Sequence, residues 1–396
     1  MTSPLNDILR PLAEAATKCA KKLPWCTGTW KVSPEDLKLY FDYGKKTRSI
    51  YLPEATETQL DKLAKACQPA TFGLNQEDVL DENYRKAGKM DLNQFSINFN
   101  PERLGIAKAV QSLLLGWDEG DRNIVLEPYK LNVYGVGSFF KAHKDTPRGE
   151  KMFGSLVIVL PTPHQGGGLV LRHDSNEAVF DSAKELTGKP PGTIAFVAFY
   201  SDVEHEVLQV TSGNRVTITY NLYFSEEKEK VPLPSPEVHV PASDEFSDSL
   251  KSILANPAFF PKGGLLGFGL KHQYPLPLDY SGDFNLEDLL SCLKGQDTVV
   301  LRACKEEGLS VSLKIVYDIG HWLVMCDAPY GSLNNLVEDE EVLDFMRESF
   351  GGVAIWPMAS RSVQNRTNPA IWKKLVKWVT PMKSMTTHTA HYMAYG

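Results

Sequence analysis

The sequence predicts an α+β chain centred on a double-stranded β-helix, or jelly roll, flanked by helices. Three observations predict it. From residue 125 the hydrophobic period becomes two, so that alternate side chains face opposite ways, as strands require. Eight short strand candidates then follow at near-regular spacing: 127–134, 138–144, 153–160, 168–173, 177–180, 193–199, 203–210 and 215–224. Gly and Pro punctuate them and no helical pattern intervenes. That excludes a doubly wound parallel sheet, which needs crossover helices, and favours two facing sheets.

The flanking elements are read in order. Residues 1–120 form a mainly helical region, residues 121–226 the jelly-roll core and residues 242–396 a mixed C-terminal region. Residues 5–22 (LNDILRPLAEAATKCAKK) carry apolar positions at helical spacing, with Pro11 as a kink or break. Ser33-Pro34-Glu35-Asp36 is a helix start: a capping serine, proline at the first position, acids in the first turn. Residues 48–52 alternate as a strand, 57–67 and 78–87 read as helices, and Pro101 opens a helix running to about Trp117. Residues 225–241 turn to charge and proline, the composition of a linker. Beyond it, helices are expected at 286–294, 298–306 and 338–350 and strands at 265–271, 310–317 and 321–326. The run Glu338-Asp339-Glu340-Glu341 is read as charge favouring a helix N-terminus rather than as a metal cluster.

Composition narrows the function classes. The 396 residues carry a formal net charge of −7, which argues against a phosphate-binding groove as the main feature. No nucleic-acid partner is expected. Six cysteines are scattered without a Cys-x-x-Cys pair and read as free thiols in a reducing compartment. No leader is recognised at the charged N-terminus, and no apolar run approaches the roughly 18 residues that span a bilayer. The expected location is therefore intracellular, in cytoplasm or nucleus, with no membrane partner. The sequon Asn365-Arg366-Thr367 is read as chance, and Tyr395-Gly396 as a stop that leaves room for further chain.

Chemistry concentrates at Tyr134–Asp145, YGVGSFFKAHKD, and just downstream. His143 and Asp145 share a strand face, an imidazole beside a carboxylate. His205 follows within VEHEVLQV. Two histidines and one carboxylate on β-structure leave half a coordination sphere open, the facial arrangement favoured by non-haem Fe(II) oxygenases. Zinc is the alternative, since the same ligand types suit it. Thr211-Ser212-Gly213-Asn214 is turn chemistry, so 203–210 and 215–224 are expected to pair as a hairpin with Arg215 on the strand beside His205. A guanidinium there can fork onto a dicarboxylate, which a zinc hydrolase has no need of. Thr217 shares the face of Arg215 and adds a hydroxyl, and Asn132 shares that of Tyr134. His164 and His173 are read as surface residues.

Together, Tyr134, His143, Asp145, His205, Arg215 and Thr217 resemble the Fe(II)- and 2-oxoglutarate-dependent dioxygenases. The Tyr-Gly-x-Gly before His-x-Asp, and the run Gly166-Gly167-Gly168-Leu169 before a strand, look most like the prolyl 4-hydroxylase branch. The resemblance covers about 125–225, and the rest is loosely similar to fungal members of the family. That branch usually carries Lys where Arg215 stands; the charge is kept and the geometry changes. The resemblance implies Fe(II) held by His143, Asp145 and His205. It implies 2-oxoglutarate held at its far carboxylate by Arg215, with Tyr134 and Thr217 as further cosubstrate contacts, and dioxygen as oxidant, with ascorbate as a reductant. The activity implied is hydroxylation of a protein or peptide side chain, proline foremost, with succinate and CO2 as co-products. The alternatives are oxygenation of a small metabolite, or a non-catalytic sensor of oxygen or 2-oxoglutarate.

Overall fold

The structure, a computed structural model, describes residues 4–19, 23–74, 77–115, 123–149, 151–225, 245–261, 266–274, 285–319, 322–328, 339–357 and 389–395. The chain clusters into two compact units, Leu23–Ser235 and Met1–Lys22 with Pro236–Gly396.

In the first unit the strands are, in chain order, β1 (Trp25–Lys31), β2 (Lys38–Tyr43), β3 (Lys46–Tyr51), β4 (Gln68–Pro69), β5 (Phe72–Leu74), β6 (Glu77–Val79), β7 (Arg85–Lys86), β8 (Gly88–Asp91) and β9 (Phe95–Ile97). They continue with β10 (Ile124–Tyr134), β11 (Phe139–His143), β12 (Met152–Val159), β13 (His164–Gly166), β14 (Leu169–His173) and β15 (Asn176–Phe180). The last four are β16 (Thr193–Tyr200), β17 (Glu204–Val207), β18 (Val210–Gly213) and β19 (Arg215–Phe224). A seven-stranded sheet runs β1-β16-β12-β19-β10-β8-β4, and a five-stranded sheet β15-β14-β17-β11-β7. Every pairing in both is antiparallel. This is the expected α+β jelly roll, and all eight expected strands are present.

The larger sheet has two unlike faces, written into its alternation. Along β19, Val216, Ile218, Tyr220, Leu222 and Phe224 point one way, with Leu131, Val133, Leu156, Ile158, Phe196 and Ala198 of neighbouring strands, and all belong to the unit's hydrophobic core. Leu60 and Leu63 of a helix at Glu57–Ala66, and Ile106, Val110 and Leu114 further on, join that core. Thr56 starts the helix with a reciprocal cap: its hydroxyl accepts from the Gln59 N–H, and the Gln59 side chain accepts from the Thr56 N–H at 3.0 Å. Each such aliphatic side chain contributes about 1.5–3 kcal/mol on full burial. On the other face, β19 and β10 place Asn132, Tyr134, Arg215, Thr217, Thr219 and Asn221, with Ser155 of β12, beside the apolar Val157, Val159, Ala195, Val197 and Phe199 of β12 and β16. That face lines the space between the sheets, so the interior of the sandwich holds a polar cluster set among core residues.

Two expectations for this unit are corrected. The mainly helical reading of 1–120 fails between residues 23 and 100, where β1 to β9 dominate and the only α-helix among the described residues is Glu57–Ala66. The helix start at Ser33 yields a 3-10 turn, Pro34–Leu37, and residues 78–87 hold β6 and β7. The helix expected from Pro101 begins at Ile106 and closes in a π turn at Gln111–Leu115. Short edge and corner strands leave too few alternations for a period to register, and tertiary pairing overrides the local polar composition.

The second correction concerns the hairpin. β17 pairs with β14 and β11 in the smaller sheet, whereas β19 lies between β12 and β10 in the larger one. Thr211–Gly213 is not a turn but part of β18, paired with β13. The chain changes sheets at Gly213, where φ is 69°, and a Cβ there would stand 2.1 Å from the Pro163 carbonyl oxygen. Turn-forming residues therefore mark a corner between sheets here.

The second unit has its own core. The helix Pro4–Cys19, continuous through Pro11, contributes Leu9, Leu12 and Ala15 to a cluster with Phe246, Leu250, Leu301, Ile315 and Val324. The N-terminal helix thus belongs with the C-terminal region and not with a layer flanking the jelly roll. A five-stranded sheet is built from Leu266–Gly269, Val311–Ile319, Trp322–Cys326, Val353–Pro357 and Thr389–Tyr395. Helices at Gln296–Glu306 and Asp339–Phe350 fall where expected, and Leu286–Cys292 is a 3-10 segment. The linker expected at 225–241 lies outside the described residues beyond Ser225. No helix among the described residues is long and apolar enough to cross a membrane.

Candidate active site

His143 closes β11 and stands directly opposite His205 of β17 in the antiparallel register. Paired residues share a sheet face, so both imidazoles enter the sandwich, with ring centroids 4.1 Å apart. Asp145, two residues on, returns to the same side. One ligating atom from each of the three lies within 4.8 Å of the others. The orientation is set from behind. His143 Nδ1 lies 2.8 Å from the Lys141 carbonyl oxygen and His205 Nδ1 3.1 Å from that of Val203. A carbonyl can only accept, so each Nδ1 carries a proton and each Nε2 is the ring nitrogen turned to the other ligands.

The surroundings hold the ligating forms. Burial and then the His205 imidazole lower His143 to about 3, leaving it neutral near pH 7. Burial pushes Asp145 up, but the two imidazoles and the Ser155 hydroxyl outweigh it and keep the carboxyl below its usual range. Phe140 stacks on His143 at 3.6 Å and Phe199 packs on His205 at 4.5 Å. Arg85 lies over the Phe140 ring at 4.4 Å and donates to the Thr71 carbonyl and to Asn132 Oδ1.

Across the sandwich Arg215 opens β19, 1% exposed. Its Nε and Nη2 are buried without a hydrogen-bond partner. Burial lowers its pKa, partly countered by Tyr134, yet a guanidinium stays charged in proteins. A buried cation with unused donors is costly by itself, so the arrangement suits an anion that enters the cleft. Tyr134 stands opposite Arg215 in register, its ring 5.7 Å from the guanidinium carbon. Thr217, 1% exposed, is next on that face, opposite Asn132. Gly167 closes over the arginine: a Cβ there would lie 2.8 Å from Arg215 Cδ.

All six residues singled out from the sequence thus line one interior, His143, Asp145 and His205 on the smaller sheet's side and Tyr134, Arg215 and Thr217 on the larger sheet. Arg215 reaches it from the facing sheet instead of the strand beside His205. His164 and His173 are corrected: neither is an exposed surface residue. His164 bonds the Thr162 carbonyl and the Ser182 hydroxyl, and burial, opposed by that carbonyl but joined by Arg215's charge, holds it below the usual imidazole value. His173 Nε2 lies 3.2 Å from Asp202 Oδ2. Sequence reasoning missed Arg85 and Ser155. Arg85 had no signal, lying in a two-residue strand. Ser155 had one, a hydroxyl inside the apolar strand MFGSLVIV.

Residues 129–223 match the family model of the 2OG-Fe(II) oxygenase superfamily. The match spans about a quarter of the chain, the part that holds His143, Asp145, His205 and Arg215. No curated protein sequence matches the chain. Among solved structures, a prolyl-4-hydroxylase from Pseudomonas putida is similar at 19% identity and a TM-score of 0.31, covering 54% of this chain and 98% of its own. A prolyl hydroxylase from Trichoplax adhaerens, in complex with a hypoxia inducible factor peptide fragment, is similar at 16% identity and a TM-score of 0.31, over 55% of this chain and 91% of its own. The collagen prolyl hydroxylase of Paramecium Bursaria Chlorella virus-1 is similar at 15% identity and a TM-score of 0.25, over 42% and 90%.

The cofactors of a 2OG-Fe(II) oxygenase are Fe(II), 2-oxoglutarate and dioxygen, and residues 129–223 include side chains that fit them. Two imidazoles and a carboxylate are the donor set for a facially bound Fe(II). The unused Nε and Nη2 of Arg215 are a fork that the far carboxylate of 2-oxoglutarate could fill.

Proposed function

We propose that this protein is a 2-oxoglutarate-dependent hydroxylase of a protein or peptide side chain, with proline as the first side chain to test. Its catalytic core would be residues 121–226, with residues 242–396 a separate region. His143, Asp145 and His205 would hold Fe(II). Arg215 would hold the far carboxylate of 2-oxoglutarate, with Tyr134 and Thr217 beside it. The observation that carries the reading is the pairing, across one interior, of a two-histidine, one-carboxylate cluster with a buried arginine whose Nε and Nη2 have no partner.

When bound, Fe(II) with 2-oxoglutarate and dioxygen supplies oxidative decarboxylation to succinate and CO2 and places one oxygen atom in a substrate C–H bond. The chain does the positioning. The Lys141 and Val203 carbonyls hold the two imidazoles ready to ligate. Arg215 selects a dicarboxylate, because a monocarboxylate would leave its buried charge unpaired. Phe140 and Phe199 keep water from behind the imidazoles. The choice of a peptide rests on the likeness of YGVGSFFKAHKD and of Gly166–Leu169 to the prolyl 4-hydroxylase branch.

The test measures succinate release from 2-oxoglutarate by wild type, His143→Ala and Asp145→Ala, then screens proline peptides against small metabolites for a mass gain of one oxygen. Turnover lost in both variants, with hydroxylated peptide from wild type, supports the reading. Turnover at the wild-type rate in Asp145→Ala removes Asp145 from the ligand set. Turnover coupled only to a metabolite replaces the substrate class, and a wild type that binds 2-oxoglutarate without consuming it favours a sensor.

A further inference from the structure

Asp145 lies beyond the last residue of β11, where no ladder hydrogen bonds fix the chain. Its carboxylate nevertheless has two well-separated tasks. Oδ2 accepts a hydrogen bond from the Ser155 hydroxyl at 2.5 Å, while Oδ1 faces His205 Nε2 at 3.7 Å. An O–H···O⁻ bond that short is charge-assisted and at the strong end of the range. Ser155 itself is 2% exposed. It sits in β12, inside the larger sheet, paired on one side with Phe199 and on the other with Asn221. The hydroxyl is therefore anchored on a strand paired along both edges and reaches across the interior to a carboxylate on a loop. Its register neighbour Phe199 packs on the His205 ring at 4.5 Å. One stretch of the larger sheet thus backs two of the three ligand residues on the smaller one.

We propose that Ser155 is a positioning residue that occupies Asp145 Oδ2 and so commits Asp145 to bind metal through Oδ1 alone. The proposal rests on the metal-site reading above and extends it to a residue outside the ligand set. A carboxylate free to use both oxygens would take up an extra coordination position. With Oδ2 held by Ser155, that position stays open for a bidentate keto acid. The hydrogen bond also fixes the torsion of a side chain whose backbone lies in a loop, so the metal need not order it on binding.

The test uses Co(II), an oxygen-insensitive stand-in for Fe(II), added to the metal-free full chain. Affinity is read by calorimetry and coordination by the visible absorption of Co(II), with and without 2-oxoglutarate. Wild type, Ser155→Ala, Ser155→Thr and Asp145→Ala are compared, with circular dichroism and thermal unfolding of each metal-free protein. Second-sphere partners of metal ligands are worth about 10- to 100-fold in affinity. Ser155→Ala should lose that much, change the Co(II) spectrum and keep the metal-free fold; Ser155→Thr, which retains the hydroxyl, should recover most of both. Wild-type affinity and spectrum in Ser155→Ala overturns the proposal and leaves the metal site standing. An alanine variant whose metal-free fold is also lost, or a threonine variant that recovers neither readout, assigns Ser155 a packing role and overturns it too. If wild type does not bind Co(II), or Asp145→Ala binds it equally well, the metal-site reading itself falls.

Discussion

Arg215 is the residue at which this chain departs most from the rules for a stable interior. Its guanidinium is 1% exposed with two nitrogen donors unused. Such a group destabilises a ligand-free protein and rewards whatever neutralises it. Arg215→Ala should weaken 2-oxoglutarate by about 2–5 kcal/mol, roughly 30-fold to several-thousand-fold, and leave Co(II) affinity nearly unchanged. Arg215→Lys should lie between, the charge kept and the fork lost. Arg215→Leu should match or exceed the thermal stability of ligand-free wild type while losing the rise in melting temperature that 2-oxoglutarate gives wild type. Titration and thermal unfolding with and without the cosubstrate check all three. Equal affinity in wild type and Arg215→Ala would show that another residue is the clamp. The residue types of this site were legible because His-x-Asp and a lone Arg stand at positions of fixed strand parity. Arg85 was not, and Ser155 showed only as a hydroxyl in an apolar strand, since the partners of both stand on facing elements that no local period reveals.

Among elements, the link between β13 and β14 shows why three glycines occur in a row. Gly166 and Gly167 have φ of 72° and 67°, in the left-handed region. At Gly166 a Cβ would meet the Gln209 carbonyl oxygen at 2.4 Å; at Gly167 it would meet Arg215 Cδ and Val210 Cγ2, each at 2.8 Å. Gly167→Ala should therefore displace the arginine as well as strain the turn. Stability should fall by about 1–3 kcal/mol and 2-oxoglutarate affinity with it. Gly188, with φ 73° and nothing within 4 Å of its Cβ position, is the control: Gly188→Ala should carry only the backbone cost, about 1 kcal/mol, at unchanged affinity. Calorimetric titration and denaturant unfolding of both variants separate the effects. The same scale shows where reading the sequence reached its limit. Long strands such as β10, β12, β16 and β19 were legible, because eight or more residues rich in β-branched and aromatic side chains run on without a breaker. β4 to β7, at two or three residues each, display none. The hairpin expected between β17 and β19 failed for another reason: glycine and asparagine signal a change of direction without saying which sheet receives the next strand.

At the scale of the molecule, the two hydrophobic clusters share no residue among those described. One draws only on residues from Trp25 to Phe224, the other on Leu9 to Ala15 and Phe246 to Met346. A unit with its own closed core can fold without the other. Residues 23–235 expressed alone should unfold cooperatively and bind Co(II) with wild-type affinity. A fragment that is collapsed but non-cooperative in denaturant would show that the remaining chain completes its core. The partition also explains why the N-terminal helix was misplaced from sequence: its periodicity announces an apolar face but not the partner of that face.

The two unlike faces of the larger sheet divide the consequences of mutation by parity. Along β19, Val216, Ile218, Tyr220, Leu222 and Phe224 carry the core, whereas Arg215, Thr217, Thr219 and Asn221 point into the cleft. A saturation library over Arg215–Phe224, scored separately for cellular abundance and for 2-oxoglutarate turnover, should give two combs out of phase. Abundance should collapse at even positions and survive at odd ones; turnover should fail at both. A lineage drifting under selection for abundance alone could then rewrite the odd positions, and with them the chemistry, while the scaffold stayed in place.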